Sequence, residues 1–509
     1  MRVPRLQSVV HGLAVAAVVC FALQVFSDNK ADVDLWGNVG FVRALPGCDD
    51  FHVTNTYSYT EPDRPWVNHE WLAQYLFHQT WLLSGNTGLL ILKTLLGLVV
   101  LALMHATLRH ECCSGAVRML LMVLIISTMS YGFGVRPHHF TYLLLALFLF
   151  LLKGFRRRAW LHLLVFPLLG MLWANLHGAF FIGAIVLLVH AVLETISSRR
   201  HAVQLRWLPL VLFGGVALFV VATFVNPFGI RLWSFILESG GTARPYLSEW
   251  APFSPIRHWM IHPDFIGLAI VVCCAYPFSR THKDLAWTTI LYLSLLAAIV
   301  LRRNIPLFAI VAGFTAGRHV EGMAGEVIDR LAGRLPRVVW AVVLALFIPF
   351  SLYTAATFNK ARPLEIEIKA DDYPLRTVAF MKQHGVSGNI FVFFDWAEYC
   401  TWHLYPQCRV FMDGRFRSAY SEPVVEDYIA GLYGRNGWER ILTAYPTDMA
   451  LVHYGNPIAG RLARRRDWQL IHSDGPAMLY VNRQVYGDLL KAMRQGKMPN
   501  VETPEAVFP

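Results

Sequence analysis

A chain of 509 residues that is 55% hydrophobic and 16% charged, with a mean hydropathy of +0.42, is too apolar for an ordinary soluble protein. The formal charge of +11 invites a nucleic-acid reading, but much of the Lys and Arg sits in short loops between apolar runs, where positive charge sets membrane orientation. The eight cysteines show no metal-ligand spacing, which argues against a cysteine-built metal site.

In chain order, MRVPR and the apolar run after it resemble a signal peptide. No small-residue cleavage site precedes Ser27, so the run is expected to stay as an anchor with its basic end in the cytoplasm. About eleven segments reach spanning length, near 8–26, 87–108, 116–133, 138–153, 159–176, 178–196, 207–225, 263–279, 284–301, 304–318 and 336–356. The even-numbered ones end in basic residues: Arg109, Lys153 with Arg156-Arg157-Arg158, Arg199-Arg200, Arg280 with Lys283, and Arg318 with Arg330, Arg334 and Arg337. This alternation is the positive-inside pattern. The expected fold is therefore a polytopic α-helical membrane protein with a soluble α/β domain at its C-terminus. The boundaries are a transmembrane domain over 1–357, with a large first outer loop over 27–86, and an extracytoplasmic domain over 358–509.

The unusual polar residues gather in the loops assigned to the outer face. In the first loop, Leu35, Val39, Val42 and Leu45 recur at helical spacing before Pro46-Gly47, which predicts a short interfacial helix starting at Asp34. A second is expected from Glu70 to Leu83. The long loop 227–262 carries Trp233, Phe235, Tyr246, Trp250, Phe253 and Trp259, as an interface-skimming, partly helical segment would. Beyond 365, strands are expected near 389–394, 409–412, 448–453 and in a pair over 468–481. Helices between them fall near 396–405, 421–433, 437–444 and 457–465, in the alternation of a small α/β domain. Cys400 and Cys408 lie close enough in sequence for an extracytoplasmic disulfide, although spacing does not decide it; Cys48 stands alone and Cys112-Cys113 are adjacent.

Asp32 and Asp34 suit a base that accepts a proton from an attacking hydroxyl or amine; helix capping is the plainer reading of Asp34. His69 and Glu70 offer a second acid, or simple pairing with a helix N-terminus. Arg136, His138 and His139 begin a span, and Asn175 and His177 lie between two helix ends; substrate contact or local hydrogen bonding fits all of them. Arg302, Arg303 and Asn304 run against the charge rule. Two adjacent arginines at an outer interface suit a lipid phosphate, whose oxygens a guanidinium can bind in pairs, or snorkel to headgroups.

The run from Asp32 to Trp36 after the first span resembles the start of GT-C membrane glycosyltransferases. The stretches WVNHEWL at 66–72, NLHG at 175–178, RRN at 302–304, Asp395-Trp396 and RVFMDGR at 409–415 add to that likeness. Together they are loosely similar to bacterial relatives of protein O-mannosyltransferases and the lipid A aminoarabinose transferase. The resemblance implies transfer of a sugar from a polyprenyl-phosphate donor to a glycan, lipid or protein acceptor at the outer face of the bacterial cytoplasmic membrane. Asp34 would be the base, with Asp32 as alternate, and Arg302 and Arg303 would hold the lipid phosphate. A valine separates the two acids that many GT-C enzymes hold adjacent, so the choice between them and the use of a divalent metal stay open. Two readings of other classes are a secondary transporter, which would show internal repeats and broken helices, and a non-catalytic scaffold of an envelope polysaccharide assembly.

Overall fold

The computed structural model describes residues 3–42, 54–111, 113–154, 160–200, 207–240, 248–358, 360–496, 501–502 and 504–509. Leu45, Pro46, Gly47, Cys48, Cys112, Arg156, Arg157, Arg158 and Tyr246, invoked above, lie outside the described residues, as do the side chains of Arg199 and Arg200. The chain divides into two compact units: one of 1–29, 88–230 and 241–364, the other of 30–87, 231–240 and 365–509.

The described elements of the first unit are helices joined by turns and loops. Its principal helices are α1 (Val3–Phe26), α4 (Gly115–Met129), α5 (His138–Lys153), α6 (Trp160–Leu176), α7 (Phe181–Arg200), α8 (Leu208–Ala222), α11 (Pro263–Phe278), α12 (Leu285–Val300), α13 (Ile305–Thr315), α14 (Gly317–Ala332) and α15 (Arg337–Thr357). In chain order α2 (Leu35–Gly40), α3 (Trp71–His110), α9 (Ile230–Gly240) and α10 (Pro255–His258) fall between them. Among the described residues five stretches, 6–26, 71–110, 115–132, 178–198 and 337–357, are long and apolar enough to cross a membrane, and five more apolar helices are shorter. Each predicted span coincides with helix.

Local chemistry sets many of the ends. The Ser114 hydroxyl accepts from the Val117 amide, and the Asp284 carboxylate accepts from Ala286 and Trp287. Proline opens α8, α10, α11 and α13, where no amide partner is needed. Tight packing uses small residues: a Cβ on Gly215 of α8 would stand 2.8 Å from the backbone oxygen of His162 on α6. Lys93 is 1% exposed, and its ammonium donates to the carbonyls of Asp28 and Phe133, tying two helix ends together. The amphipathic α14, which buries His319 and Val320, was expected as a plain basic loop.

The second unit is built on a five-stranded sheet ordered β2-β1-β3-β5-β4. The strands are β1 (Gly388–Val392), β2 (Cys408–Val410), β3 (Met449–His453), β4 (Trp468–Asp474) and β5 (Ala477–Asn482). The first three are parallel, while β5 runs antiparallel to β3 and to β4. The parallel part is buried, as its unbroken apolar runs require. Helices α16 (Leu375–Gln383), α17 (Ala397–Leu404), α18 (Glu422–Leu432), α19 (Arg440–Thr443), α20 (Pro457–Ala463) and α21 (Gly487–Arg494) complete the unit.

Residues of the loop over 27–86, expected at the outer face, belong to this sheet domain. The Val410 amide donates to the Tyr57 carbonyl at 3.1 Å and the Tyr59 amide donates to Val410 at 3.3 Å, so the loop extends the sheet past β2. Phe41, Tyr57, Tyr59 and Trp66 enter the same core as Phe391, Phe411, Tyr420 and Tyr428. Two local expectations change. The predicted helix at 70–83 starts at Trp71 and continues past a break at Gly85 (φ +56°) into the following span. Cys400 and Cys408 are both free and buried; Cys400 lies on α17, and the Cys408 thiol points at the Val386 carbonyl, so no disulfide joins them.

Candidate functional site

In open sheets with parallel strands, ligands gather beyond the carboxyl ends of the strands, where strand order reverses. Here β1 lies between β2 and β3, and the chain leaves it towards β2 before returning to β3. Asp395 and Glu398 follow β1, Asp413 to Arg415 follow β2, and His453 closes β3. The first outer loop brings Asp32 and Asp34 to the same place.

Asp34 occupies the N-cap position of α2, yet its side chain makes no capping bond. Instead its amide donates to the Asp32 carboxylate at 3.0 Å. The plainer, capping role is therefore not what this side chain performs. Its neighbour is Glu398, which the sequence reading overlooked. Glu398 is 6% exposed, accepts a 2.9 Å hydrogen bond from the Gly37 amide on Oε2, and fits only because two glycines face it. A Cβ on Gly37 would lie 2.4 Å from Oε2 and one on Gly414 would lie 2.3 Å from Oε1, with Asp34 Oδ1 3.3 Å away. Burial, then the negative charges of Asp34 and Asp413, push the Glu398 carboxyl well above the usual range, against the Gly37 bond and the Arg415 charge. Asp395 is raised as well, by burial and then by Asp32.

Asp413 is fully buried and balanced by Arg415. Its Oδ1 accepts from Arg415 Nε at 2.9 Å and its Oδ2 from Nη2 at 2.7 Å. The guanidinium lies over Trp66, Phe41 and Tyr57 at 4.7, 4.9 and 5.2 Å, and Nη2 also donates to Asn55. Phe416, the next residue, has φ +46°, a rare backbone for a side chain of this size. Beside this group lies a cavity of about 250 Å³ bordered by Trp36, Phe41, Tyr57, Trp402, Tyr405 and Glu398. Trp36 is held by Tyr399, Trp402 and Phe508.

The other expected site residues divide by unit. In the sheet unit, His69 Nε2 lies 3.7 Å from Glu70 and its ring packs on Phe235 at 4.9 Å. In the helical unit, Arg136 pairs with Glu249 at 3.0 Å, and Arg303 lies 3.9 Å from Glu249 and 4.4 Å above Trp250. Arg302 opens the short turn 302–304, and its amide donates to Ala251. Two arginines, Arg136 and Arg303, thus meet at Glu249.

Several candidates do local work. His138 Nε2 bonds to the Gly132 carbonyl at 2.6 Å and His139 Nδ1 to that of Arg136 at 3.0 Å. Asn175 donates to Met171 and Val225, and Asn304 donates to Ala297. His177 Nδ1 accepts from the Ala179 amide and faces the Thr141 hydroxyl at 3.0 Å. These contacts are the local hydrogen bonding that the sequence offered beside substrate contact. Among the described residues no group of three His, Cys, Asp or Glu side chains is placed to hold a metal ion. The chain matches no protein-family model, and comparison with curated proteins gives no relative.

Proposed function

We propose that the chain transfers a sugar from a polyprenyl-phosphate carrier to an acceptor at the outer face of the bacterial cytoplasmic membrane. In this reading all eleven spans expected from the sequence cross the bilayer, the N-terminus is cytoplasmic and the sheet unit is extracytoplasmic. The observation that carries it is the acid cluster: Asp34 lies beside Glu398, a buried acid that borders an aromatic cavity.

Asp34 takes the acceptor proton as the acceptor's oxygen or nitrogen attacks the anomeric carbon. The bond from that carbon to the phosphate oxygen breaks, and the polyprenyl phosphate leaves with its electron pair, inverting the anomeric centre. Two close carboxyls cannot both ionise cheaply, so a proton held on Glu398 leaves Asp34 as the anion that accepts. Arg302 and Arg303, with Arg136, are the candidates to stabilise the departing phosphate through fixed positive charge. A secondary transporter is less well supported, because the sequence shows no internal repeat.

The test is mass analysis of envelope glycans and polyprenyl-phosphate sugars in a deletion strain complemented with wild-type chain or Asp34→Asn. The variant should reach the membrane at wild-type abundance and reproduce the deletion profile. A wild-type glycan profile would refute Asp34 as the base and favour the scaffold role.

A further inference from the structure

The cavity of the sheet unit has a composition that selects its occupant. It is bordered by Trp36, Phe41, Tyr57, Trp402 and Tyr405, and its polar members are Glu398 and Thr401, whose hydroxyl donates to the Ala397 carbonyl. At about 250 Å³ it is too small for a lipid chain or a folded peptide and has room for one six-membered ring with its substituents. Asp413 is neutralised by Arg415, and that guanidinium already lies against the rings of Phe41 and Tyr57, which discourages a second cation there. A purely apolar guest would offer no hydrogen bond to the buried Glu398 carboxyl beyond the one it accepts from Gly37. The remaining class has an apolar C–H face and a rim of hydroxyls.

We infer that this cavity is a subsite for a single uncharged pyranose ring, so that the acceptor offered to Asp34 is itself a glycan. The ring would stack on Trp402 and present a hydroxyl to Glu398. The acceptor role rests on the transfer reading above; the binding does not. Trp402 is placed by a glycine, since a Cβ on Gly40 would stand 2.7 Å from its ring, and by packing on Phe508 at 5.1 Å.

The experiment uses the purified full-length chain in nanodiscs, without donor, titrated with methyl glucoside, methyl mannoside, methyl galactoside and methyl N-acetylglucosaminide. Binding is read by tryptophan fluorescence and saturation-transfer NMR. At least one glycoside should saturate with a dissociation constant on the order of 1 mM. Trp402→Ala and the milder Gly40→Ala should each weaken it roughly tenfold, with the thermal midpoint of Gly40→Ala reported beside it. Glu398→Gln, which keeps the shape of the protonated acid, should bind within about threefold of wild type. The inference is overturned if none of the glycosides saturates, if tetramethylammonium saturates in their place, or if both ring variants bind as wild type does. No binding together with a dead Asp34→Asn variant sinks this subsite and spares the transfer reading. Binding together with an active Asp34→Asn variant does the reverse.

Discussion

Glu398 and Arg415 are the residues whose chemistry follows most directly from burial. An acid whose folded-state proton affinity is raised binds more protons folded than unfolded above its ordinary titration point, so stability falls as pH rises past it. For Glu398 that point is about 4.5. The sheet unit should therefore lose stability between about pH 4.5 and neutrality, and Glu398→Gln should flatten that slope while leaving low-pH stability unchanged. Chemical denaturation across pH reads both. A Glu398→Gln slope identical to wild type would mean that the carboxyl is ionised in the fold. Arg415→Gln would leave Asp413 buried without its cation and should cost about 3–5 kcal/mol. Adding Asp413→Asn should recover part of that loss, measured as the midpoint of the double variant against the single. Asp32 and Asp34 stand out in the sequence because ionisable groups beside an apolar span are costly, although helix capping is the plainer reading of Asp34. Glu398 does not stand out, because a Glu in a first helical turn reads as ordinary pairing with the helix N-terminus. Only contacts from more than 360 residues away along the chain, at Gly37 and Asp34, reveal it.

At the scale of elements, hydrophobic periodicity located the apolar helices and strand alternation located the small sheet, since both patterns are local. What periodicity could not convey was the fate of the first outer loop. Tyr57 and Tyr59 pair with Val410 across some 350 positions, and no period in sequence encodes such a pairing. The helix α14 was missed for a different reason: its charged face looks like a basic cytoplasmic loop until its buried face is seen to pack. Two short turns carry the acid cluster, and both depend on the absence of a side chain. Gly414→Ala would put a methyl group 2.3 Å from Glu398 Oε1. It should cost about 1–3 kcal/mol and lower transfer together with stability. Gly385→Ala, where a Cβ would meet open space but φ is +62°, should cost stability alone. Thermal melts paired with activity separate the two, and equal losses of transfer in both would remove the special role assigned to the Gly414 turn.

For the molecule as a whole, the proposed topology places α14 and the sheet unit on opposite sides of the membrane. An impermeant maleimide should label Tyr454→Cys in intact cells and Arg334→Cys only after permeabilisation, each above the background of the unmodified chain. The reverse order would invert the orientation and put the acid cluster in the cytoplasm. The central claim is chemical, however, and is read most directly as release of free polyprenyl phosphate. Membranes of the deletion strain carrying equal amounts of wild-type chain or Asp34→Asn would be compared for release dependent on added acceptor extract. The account predicts a fall of about a hundredfold or more in the variant at unchanged abundance. Release at the wild-type rate would contradict it.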